Sequence, residues 1–214
     1  MSTFTISGKR ADPDLKNQHI YCPSLQGLSA RLADAAFLMP RMDQNRHVKN
    51  ASGHGHWAAA IAADPFGSNS AFFNALRTAG YNGVVNWPSS ILLEGDTQQQ
   101  MSTIPATPSA EYQFLANAQD AGMQTMGFIL TPDHAADALA AGIKTLILHP
   151  GILLDVDFAA KTMIRRALEA IIVGVKKAEP KARVYLYVSD WHERMIDLTD
   201  MTCDGFVRFE EAPQ

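Results

Sequence analysis

Polar and titratable side chains stand at the ends of several short apolar runs of this sequence. Asp64, Asn86, His149 and Asp190 each end or follow such a run, and Arg41 lies near the end of a weaker one. Carboxylates and imidazoles exchange protons and bind divalent metals, whereas amide and guanidinium groups bind anions. If the runs are parallel strands, their carboxyl ends meet on one side of a sheet, so these side chains are predicted to share one site.

Some of these side chains also have a purely structural interpretation. Asp64 is predicted to act as a general base or a metal ligand, although a carboxylate before Pro65 also suits the cap of a helix. Asn86 and Arg41 are predicted to hold the anionic groups of a substrate, and a hydrogen-bonded core amide is the alternative for Asn86. His149 is predicted to donate a proton or a hydrogen bond to an oxygen on which charge develops.

Two of the carboxylates could together hold a divalent metal ion. Asp64 and Asp190 are predicted as ligands of Mg²⁺ or Mn²⁺, with most of the remaining shell supplied by water. Asp190 is also a candidate contact to the substrate, and a helix N-cap is its structural alternative. Alternatively, His149 and His192 are candidates to bind the metal ion of a metal-dependent hydrolase.

A long polar segment, Ile91–Pro108, follows the fourth apolar run. It contains Glu94, a second candidate for proton transfer, and the polar run Thr97–Gln100. Segments of this length without secondary structure are uncommon and often serve as binding loops. We predict a mobile lid that orders over an anionic ligand; a fixed loop and a contact between subunits are the alternatives.

The elements that must position these side chains are helices and strands in alternation. Helix-like segments end in Ala-Gly three times, at 79–80, 121–122 and 141–142, and a continuous apolar run follows each of them. Glycine just past a helix end is a common cap, and unbroken apolar runs are typical of strands buried on both faces. Eight strands are predicted, at His19–Pro23, Phe37–Met42, Trp57–Ala63, Gly83–Trp87, Thr125–Leu130, Thr145–His149, Val184–Val188 and Gly205–Phe209.

Eight strand–helix units predict a compact, closed (β/α)8 TIM barrel. Asp43–Gly55 is too short and polar for a full second helix, and nothing after Phe209 is long enough for an eighth, so both helices are predicted to be reduced. Residues 1–18 are predicted to form an extension ahead of the strands of a single domain that spans 1–214. The alternative fold is an open doubly wound sheet.

The composition of the 214 residues restricts the classes of function. Hydrophobic residues make up 47% and charged residues 19%, which suits a globular domain and excludes long-range disorder. The formal charge of -4 comes with no obvious basic face, so no nucleic-acid partner is expected. Cys22 and Cys203 have neither the spacing of a metal knuckle nor that of a disulfide framework. Without a leader-like N-terminus or an apolar run of membrane-spanning length, a cytoplasmic protein with no membrane partner is predicted.

Four segments of the sequence resemble a known family. Two segments are similar to motifs of the phosphoenolpyruvate hydrolase-like TIM-barrel proteins, also called TIM-barrel signal transduction proteins. They are A-A-D-P-F at 62–66 and G-Y-N-G-V-V-N-W-P-S-S-I-L-L-E-G at 80–95. H-P-G-I at 149–152 and C-D-G-F-V at 203–207 resemble the sixth and eighth strands of that family. The resemblance implies a TIM barrel that acts on a small phosphorylated or carboxylated three-carbon acid by cleavage or hydrolysis.

The sequence departs from the family at the ends of three strands. The glycine-rich turn of the family is replaced by C-P-S-L-Q-G at 22–27. Its Arg- and Gly-rich segment after the second strand is reduced to M-P-R-M-D-Q-N-R at 39–46. Its H-G-G-P after the seventh strand is replaced by S-D-W-H at 189–192. The expected partner is a small anionic carboxylate, and a homo-oligomer is considered as well.

Three hypotheses about function follow. The first is an enzyme that acts on a small 2-oxo, enol or phosphorylated carboxylic acid by hydrolysis or by cleavage of a C–C or C–P bond. The second is a degenerate barrel that binds a ligand or partner without catalysis. The third is a metal-dependent hydrolase that uses His149 and His192.

Overall fold

A closed barrel of eight parallel strands forms the centre of the molecule. The computed structural model describes residues 2–10, 18–38, 42–64, 69–104, 106–153, 157–198 and 200–211. Each strand pairs with its neighbours in sequence, and β8 pairs with β1 to close the barrel. The predicted (β/α)8 fold is confirmed, and the open sheet is excluded. The strands are β1 Ser2–Ser7, β2 His19–Tyr21, β3 Trp57–Ala60, β4 Gly83–Asn86, β5 Gln124–Ile129, β6 Thr145–Leu148, β7 Arg183–Val188 and β8 Gly205–Phe209.

The number of strands is as predicted, but two assignments near the N-terminus are wrong. β1 lies inside the segment 1–18 that was predicted to be an extension, and it pairs with both β2 and β8. Its alternating pattern buries Phe4 and Ile6, as expected of a strand with one face in the barrel interior. The strand predicted at Phe37–Met42 does not form in the described part of that segment, because residues 37–38 lie in a turn; residues 39–41 lie outside the described ranges.

Helices connect the strands on the outside of the barrel. The β2–β3 connection carries two short helices of four and six residues, which agrees with the predicted reduction of the second helix, and the described residues 210–211 after β8 are not helical. No helix in the described ranges has the length and apolar character that crossing a membrane requires. The helices are α1 Ala30–Ala33, α2 Gln44–Lys49, α3 Asn69–Thr78, α4 Gly95–Met101, α5 Pro108–Asp120, α6 Pro132–Ala140, α7 Phe158–Ala178 and α8 Asp190–Met195.

Side-chain caps and proline set the starts of two helices. Thr131 accepts a hydrogen bond from the backbone N–H of His134, and proline follows it as the first helical residue, as the sequence predicts. α5 begins in the same way: Thr107 accepts a hydrogen bond from the backbone N–H of Ala110, and Pro108 is the first helical residue. At the other end of α5, Gly122 adopts a φ of 82°, the left-handed conformation expected after Ala121.

The segment Ile91–Pro108 is more structured than predicted. A 3-10 turn at Ser90–Leu92 opens it and α4 follows. Ile91 and Leu93 are buried, whereas α4 has no buried residue. The start of the segment is therefore fixed to the body of the molecule, and α4 lies on its surface.

Aromatic side chains fill the barrel interior in two layers. In the lower layer Phe4 packs edge-to-face against Tyr185, with ring centroids 5.3 Å apart. In the upper layer, towards the C-terminal ends of the strands, the rings of Trp87, Phe128 and Tyr187 have centroids between 4.3 and 5.8 Å apart. Because side chains occupy the interior, a site at this end of the barrel must be built on or above the upper layer.

Candidate functional site

His149 follows directly after β6 and is fully buried. Its backbone N–H donates to the carbonyl of Ile129 at 2.9 Å, which extends the pairing with β5 by one residue and fixes the backbone. The imidazole packs nearly parallel to two rings of the upper aromatic layer, Tyr187 at 4.6 Å and 18° and Trp87 at 5.4 Å and 19°. Close packing on these rings holds the imidazole in one orientation, so its two nitrogens point in fixed directions.

Asp34 and His192 complete a buried cluster with His149. The Asp34 carboxylate lies between the two histidines, with Oδ1 3.2 Å from Nε2 of His149 and Oδ2 3.5 Å from Nε2 of His192. The two imidazoles meet edge-to-face, with ring centroids 5.3 Å apart. All three side chains are almost completely excluded from solvent. Three titratable groups therefore share one dry site at the C-terminal end of the barrel.

Two short helices bring Asp34 and His192 to this site. Asp34 ends α1, and His192 lies in the first turn of α8, which Ser189 caps by accepting the backbone N–H of His192 at 3.4 Å. The guanidinium of Arg31, on α1, lies 5.2 Å from the centre of the Trp191 ring, on α8. This cation–π contact holds the two helices against each other.

The surrounding hydrogen bonds determine which nitrogen of each imidazole carries a proton. The Gly151 N–H donates to Nδ1 of His149 at 3.0 Å, so Nε2 of His149 is protonated and donates to Asp34. Nε2 of His192 faces two acceptors, the Asp34 carboxylate at 3.5 Å and the Gly151 carbonyl at 3.3 Å, so it carries the proton of the neutral ring. Nδ1 of His192 then accepts from the Ser189 hydroxyl at 2.7 Å. Two imidazole N–H groups thus converge on one carboxylate.

Burial keeps His192 in its neutral form. Loss of hydration, and then the neighbouring His149, lower the pKa of His192 to about 4, although the Asp34 carboxylate acts in the opposite direction. At neutral pH the carboxylate of Asp34 is therefore not balanced by a positive charge on His192. A buried centre of this kind favours a further proton or a cation.

Two hydrogen-bond donors beside His149 have no partner among the described residues. They are the O–H of Tyr187 and the Nε1–H of Trp87, and both side chains are fully buried. Burial, and then the charge of Asp34, raise the pKa of Tyr187 well above its ordinary value, so this side chain remains a phenol. A buried donor without an acceptor costs about 1–3 kcal/mol. Both donors therefore suit a ligand with acceptor oxygens, such as a carboxylate.

A second buried network uses the amide of Asn86, which was predicted to contact the substrate. Asn86 donates from Nδ2 to Oε2 of Glu111 at 2.7 Å and accepts the backbone N–H of Phe128 at Oδ1, also at 2.7 Å. Glu111 further accepts from the Ser89 hydroxyl at 2.5 Å and the Ser90 N–H at 2.7 Å. Burial raises the pKa of Glu111 in spite of these donors. The network anchors the residues after β4 to α5, and substrate binding by Asn86 stays a prediction.

Three other predicted site residues, Asp64, Glu94 and Asp190, do not join the cluster of Asp34 and the two histidines. Asp64 is half-buried after β3 and accepts from Nδ2 of Asn45 at 3.3 Å. Glu94 is exposed just before α4, and Asp190 is exposed at the first position of α8. Arg41 lies outside the described residues. The catalytic, substrate-binding and metal-binding roles of these four residues stay predictions.

Asp34, His149 and His192 are the one group of three or more His, Cys, Asp or Glu side chains in the described ranges that could hold a metal ion. The predicted Mg²⁺ or Mn²⁺ ligands Asp64 and Asp190 are not part of it. Mg²⁺ binds oxygen ligands almost exclusively, whereas two imidazole nitrogens and one carboxylate are a donor set of transition metals. The chemistry of the cluster therefore differs from that of the predicted carboxylate site.

Sequence reasoning missed Asp34 and Tyr187. Asp34 lies in the helix-like stretch R-L-A-D-A-A, and nothing in the sequence relates it to the end of β6. Tyr187 could have been found, because the alternation in V-Y-L-Y-V directs both tyrosines of β7 to the barrel interior. His192 was considered as a partner of His149, and the structure places their rings in contact.

The predicted lid can now be tested on α4. Because none of its residues is buried and the Glu94 side chain does not cap it, its amides are expected to exchange with solvent within seconds in the free protein. Addition of oxalate or pyruvate is expected to slow exchange over Gly95–Met101, as measured by mass spectrometry of peptides. Strong protection without ligand contradicts the lid. Protection that rises with protein concentration instead indicates a contact between subunits.

Comparison with known proteins gives a match to a family and to several relatives. A family model described as phosphoenolpyruvate hydrolase-like matches residues 24–186, a range that includes Asp34 and His149. The protein y4oT of Sinorhizobium fredii is 29% identical over 139 residues, which are 62% of this chain and 71% of y4oT. The ToMV resistance protein Tm-1(GCR237) of Solanum lycopersicum is 28% identical over 129 residues, 60% of this chain. The chain spans only 17% of the length of that tomato protein.

The solved structures that resemble this chain are more distant in sequence. A protein assigned as a phosphonomutase in Burkholderia cenocepacia J2315 superimposes with a TM-score of 0.48 and 13% sequence identity. The superposition covers 98% of this chain and 87% of that protein.

Proposed function

Since the chain belongs to the phosphoenolpyruvate hydrolase-like family, we propose that it is an enzyme of small carboxylic acids. Its substrate is a 2-oxo, enol or phosphorylated acid, and the reaction is hydrolysis or cleavage of a C–C or C–P bond. The cluster of Asp34, His149 and His192 at the C-terminal end of the barrel carries this proposal, because active sites of TIM barrels lie at that end. The buried donors of Tyr187 and Trp87 beside it suit the oxygens of such an acid.

In this proposal Asp34 is the group that accepts a proton. Nδ1 of His149 is occupied by the Gly151 N–H, so this nitrogen is not available as a base, and the protonated Nε2 is a donor. When Asp34 takes a proton from the substrate or from water, it no longer holds both imidazole N–H groups as strongly. Those two neutral donors then become available to an oxygen that gains negative charge, as in an enolate.

The other predicted residues complete the proposal at the edge of the site. Arg41 and Asn86 are proposed to contact the anionic groups of the acid, and Asp64, Glu94 and Asp190 remain candidates for proton transfer or for binding Mg²⁺ or Mn²⁺. Of these, Asp64 and Asp190 follow the C-terminal ends of β3 and β7. The carboxylates at this rim are therefore on the same side of the barrel as the central cluster.

The proposal is tested by measuring turnover of three acids with the full chain: oxaloacetate, phosphoenolpyruvate and phosphonopyruvate. Release of pyruvate is followed with a coupled assay, after chelator treatment and then with Mg²⁺, Mn²⁺ or Zn²⁺ added back. We expect at least one acid to be consumed well above its spontaneous rate. Absence of turnover under every condition contradicts an enzyme of this class.

A ligand-binding protein without turnover is the second candidate. Complete burial of His149 and His192 favours it, because a centre with no exposed atoms has little access to successive substrate molecules. The changed strand ends at 22–27 and 189–192 support it as well. Calorimetry with pyruvate and oxalate separates the two candidates, since binding of either acid without turnover of the three substrates supports the second.

A further inference from the structure

We infer that Asp34, His149 and His192 form a binding site for one first-row transition-metal ion, of the class Mn²⁺, Fe²⁺, Co²⁺ or Zn²⁺. The inference rests on the same centre as the proposed function and deepens it, because it names the class of cofactor that this centre takes. In the metal-bound form Asp34 and both Nε2 atoms would be ligands, so the ion would take over from the two imidazole N–H groups the stabilisation of a charged oxygen. It depends on the side chains of the cluster alone and would hold for a hydrolase, a lyase or a binding protein.

The spacing of the donor atoms fits a single ion. One ligand atom from each residue lies within 4.8 Å of the other two, and the shorter separations, between Nε2 and carboxylate oxygens, are 3.2 and 3.5 Å. Ligands bound at roughly 2.0–2.2 Å around one tetrahedral or octahedral ion are separated by roughly 3.0–3.6 Å. Each imidazole–carboxylate separation is therefore that of two ligands on a common ion. The two contacts use different oxygens of Asp34, so a shared ion also requires donor atoms that lie up to 4.8 Å apart to move closer.

The identity of the donors selects a transition metal over Mg²⁺ and Ca²⁺. Two nitrogen ligands and one carboxylate oxygen suit Zn²⁺, Fe²⁺ and their neighbours, whereas Mg²⁺ and Ca²⁺ take oxygen ligands. Three protein ligands also leave at least one coordination position open, which is the pattern of catalytic rather than structural sites. The unpartnered donors of Tyr187 and Trp87 lie next to His149, where they could contact an oxygen ligand in that position.

Ser189 is placed to support His192 as a ligand. Metal-bound histidines donate the other ring N–H to an oxygen. When Nε2 of His192 binds a metal, the proton moves to Nδ1, and the Ser189 hydroxyl at 2.7 Å can turn to accept it. This hydroxyl is part of the helix cap and is fully buried, so it is held in place for either arrangement.

Gly151 must change its contacts when His149 becomes a ligand. A proton on Nδ1 of His149 would face the Gly151 N–H, which now donates to that atom at 3.0 Å, and the Gly151 carbonyl also lies 3.3 Å from Nε2 of His192. Both contacts are made by the backbone of Gly151, which has a φ of 91°. Glycine adopts such positive φ values without a steric cost, so its backbone can change conformation here. The structure thus locates the rearrangement that metal binding requires at a single glycine.

The test uses the full chain after chelator treatment and Co²⁺ as the probe. We expect one Co²⁺ per chain by elemental analysis, visible d–d absorption bands, and displacement by Zn²⁺ but not by millimolar Mg²⁺. X-ray absorption of the wild-type Co²⁺ form is expected to count two imidazole ligands, a readout that needs no variant. Less than stoichiometric Co²⁺, or a shell without imidazole, overturns the inference and leaves the cluster as a closed hydrogen-bond network.

Variants test two of the three ligands, Asp34 and His192. Asp34→Asn and His192→Gln are each expected to weaken Co²⁺ binding at least about a hundredfold, while circular dichroism reports whether each variant is folded. His54→Asn is the matched control: His54 is exposed before β3 at the other end of the barrel, and asparagine tolerates its φ of 46°. Unchanged affinity in folded D34N and H192Q, or equal loss in H54N, would refute the assignment.

The inference and the proposed function fail in distinguishable ways. Turnover of one of the three acids by a chain that binds no Co²⁺ or Zn²⁺ refutes the metal site and leaves the enzyme. Stoichiometric metal bound by Asp34 and the two histidines, with no acid consumed, supports the metal site and contradicts the enzyme of carboxylic acids.

Discussion

Asp34→Asn is expected to lower kcat/KM for the carboxylic-acid substrate about a hundredfold to ten-thousandfold, the usual contribution of a positioned acid or base. The substitution removes the negative charge on which both imidazole N–H groups converge, at 3.2 and 3.5 Å, and with it the proposed proton acceptor. An amide of the same shape cannot take up a proton at neutral pH. The loss is measured with whichever of the three acids the wild-type chain consumes.

The barrel is expected to stay folded in this variant. The oxygen of the introduced amide can still accept from Nε2 of His149, whose proton is held in place by the Gly151 N–H. Its NH2 group then faces His192, which can shift its proton to Nδ1 because the Ser189 hydroxyl can accept there. The Gly151 carbonyl loses only its 3.3 Å contact with Nε2 of His192, and the other polar groups keep a partner, so a shift in melting temperature of only a few degrees is expected.

Two exposed carboxylates provide the comparison. Asp190→Asn and Glu94→Gln remove a charge at the rim of the same end of the barrel, on α8 and before α4, without touching a buried contact. If Asp34 is the proton acceptor, both variants keep most of the wild-type kcat/KM. A loss in D190N or E94Q comparable to that in D34N would move the chemistry to the carboxylates that the sequence alone favours.

The strands β5, β6 and β7 could be predicted well because each is buried on both faces after its first residue. Runs such as Thr145–Leu148 are continuously apolar and follow a glycine that ends a helix, so two independent signals agree. β1 lacks the first signal, because Ser2–Ser7 alternates polar and apolar residues. Its place is set by pairing with β2 and β8 across the closure of the barrel, which is a property of the whole sheet.

The site could be predicted only as far as the strands define it. His149 was found because an imidazole at the end of an apolar strand is unusual, and the barrel places it at the C-terminal end. Asp34 lies 115 positions away in sequence, on a helix of four residues, and reaches His149 because α1 packs on α8. Glu111 looked like an ordinary charge in the first turn of a helix. Its burial depends on the path of the chain after β4, which no local pattern reveals.

The two buried networks are linked through the segment after β4. Glu111 accepts hydrogen bonds from Asn86, Ser89 and Ser90. Trp87 lies in the chain between Asn86 and the two serines. The Trp87 ring packs on His149. The Trp87 carbonyl also accepts from Nε2 of Gln44 at 2.6 Å. The orientation of His149 therefore depends on a carboxylate that has no contact with it.

Glu111→Ala is expected to lower the free energy of unfolding by about 3–5 kcal/mol, a large share of the stability of a domain. The substitution leaves the Asn86 amide, the Ser89 hydroxyl and the Ser90 N–H buried without their acceptor, and it also creates a cavity. Chemical denaturation monitored by circular dichroism and fluorescence measures the change. A loss below about 1 kcal/mol would mean that these donors find other partners.

Glu111→Gln and Glu169→Ala are the control variants with which the loss of stability in Glu111→Ala is compared. The introduced amide has one oxygen where the carboxylate has two, so whichever way it turns, at least one of the three donors is left unmet, at a cost of about 1–3 kcal/mol. Glu169 pairs with Arg165 on the surface of α7 at 3.2 Å, and loss of such an exposed pair costs at most about 0.5 kcal/mol. The expected order of destabilisation is therefore E111A, then E111Q, then E169A.

The dependence of the free energy of unfolding on pH shows how much the ionisation of the Glu111 side chain, rather than its packing, contributes to stability. Burial raises the pKa of Glu111 above its ordinary value of 4.5. Between pH 4.5 and the raised value, the unfolded chain has released a proton that the folded chain retains, so the contribution of Glu111 to stability falls as pH rises through this window. E111Q does not titrate there. The stability difference between wild type and E111Q is therefore expected to be largest near pH 4.5 and to shrink as pH rises, as measured by denaturation at a series of pH values. A difference that grows with pH would mean that the three donors outweigh burial and hold the pKa of Glu111 below 4.5.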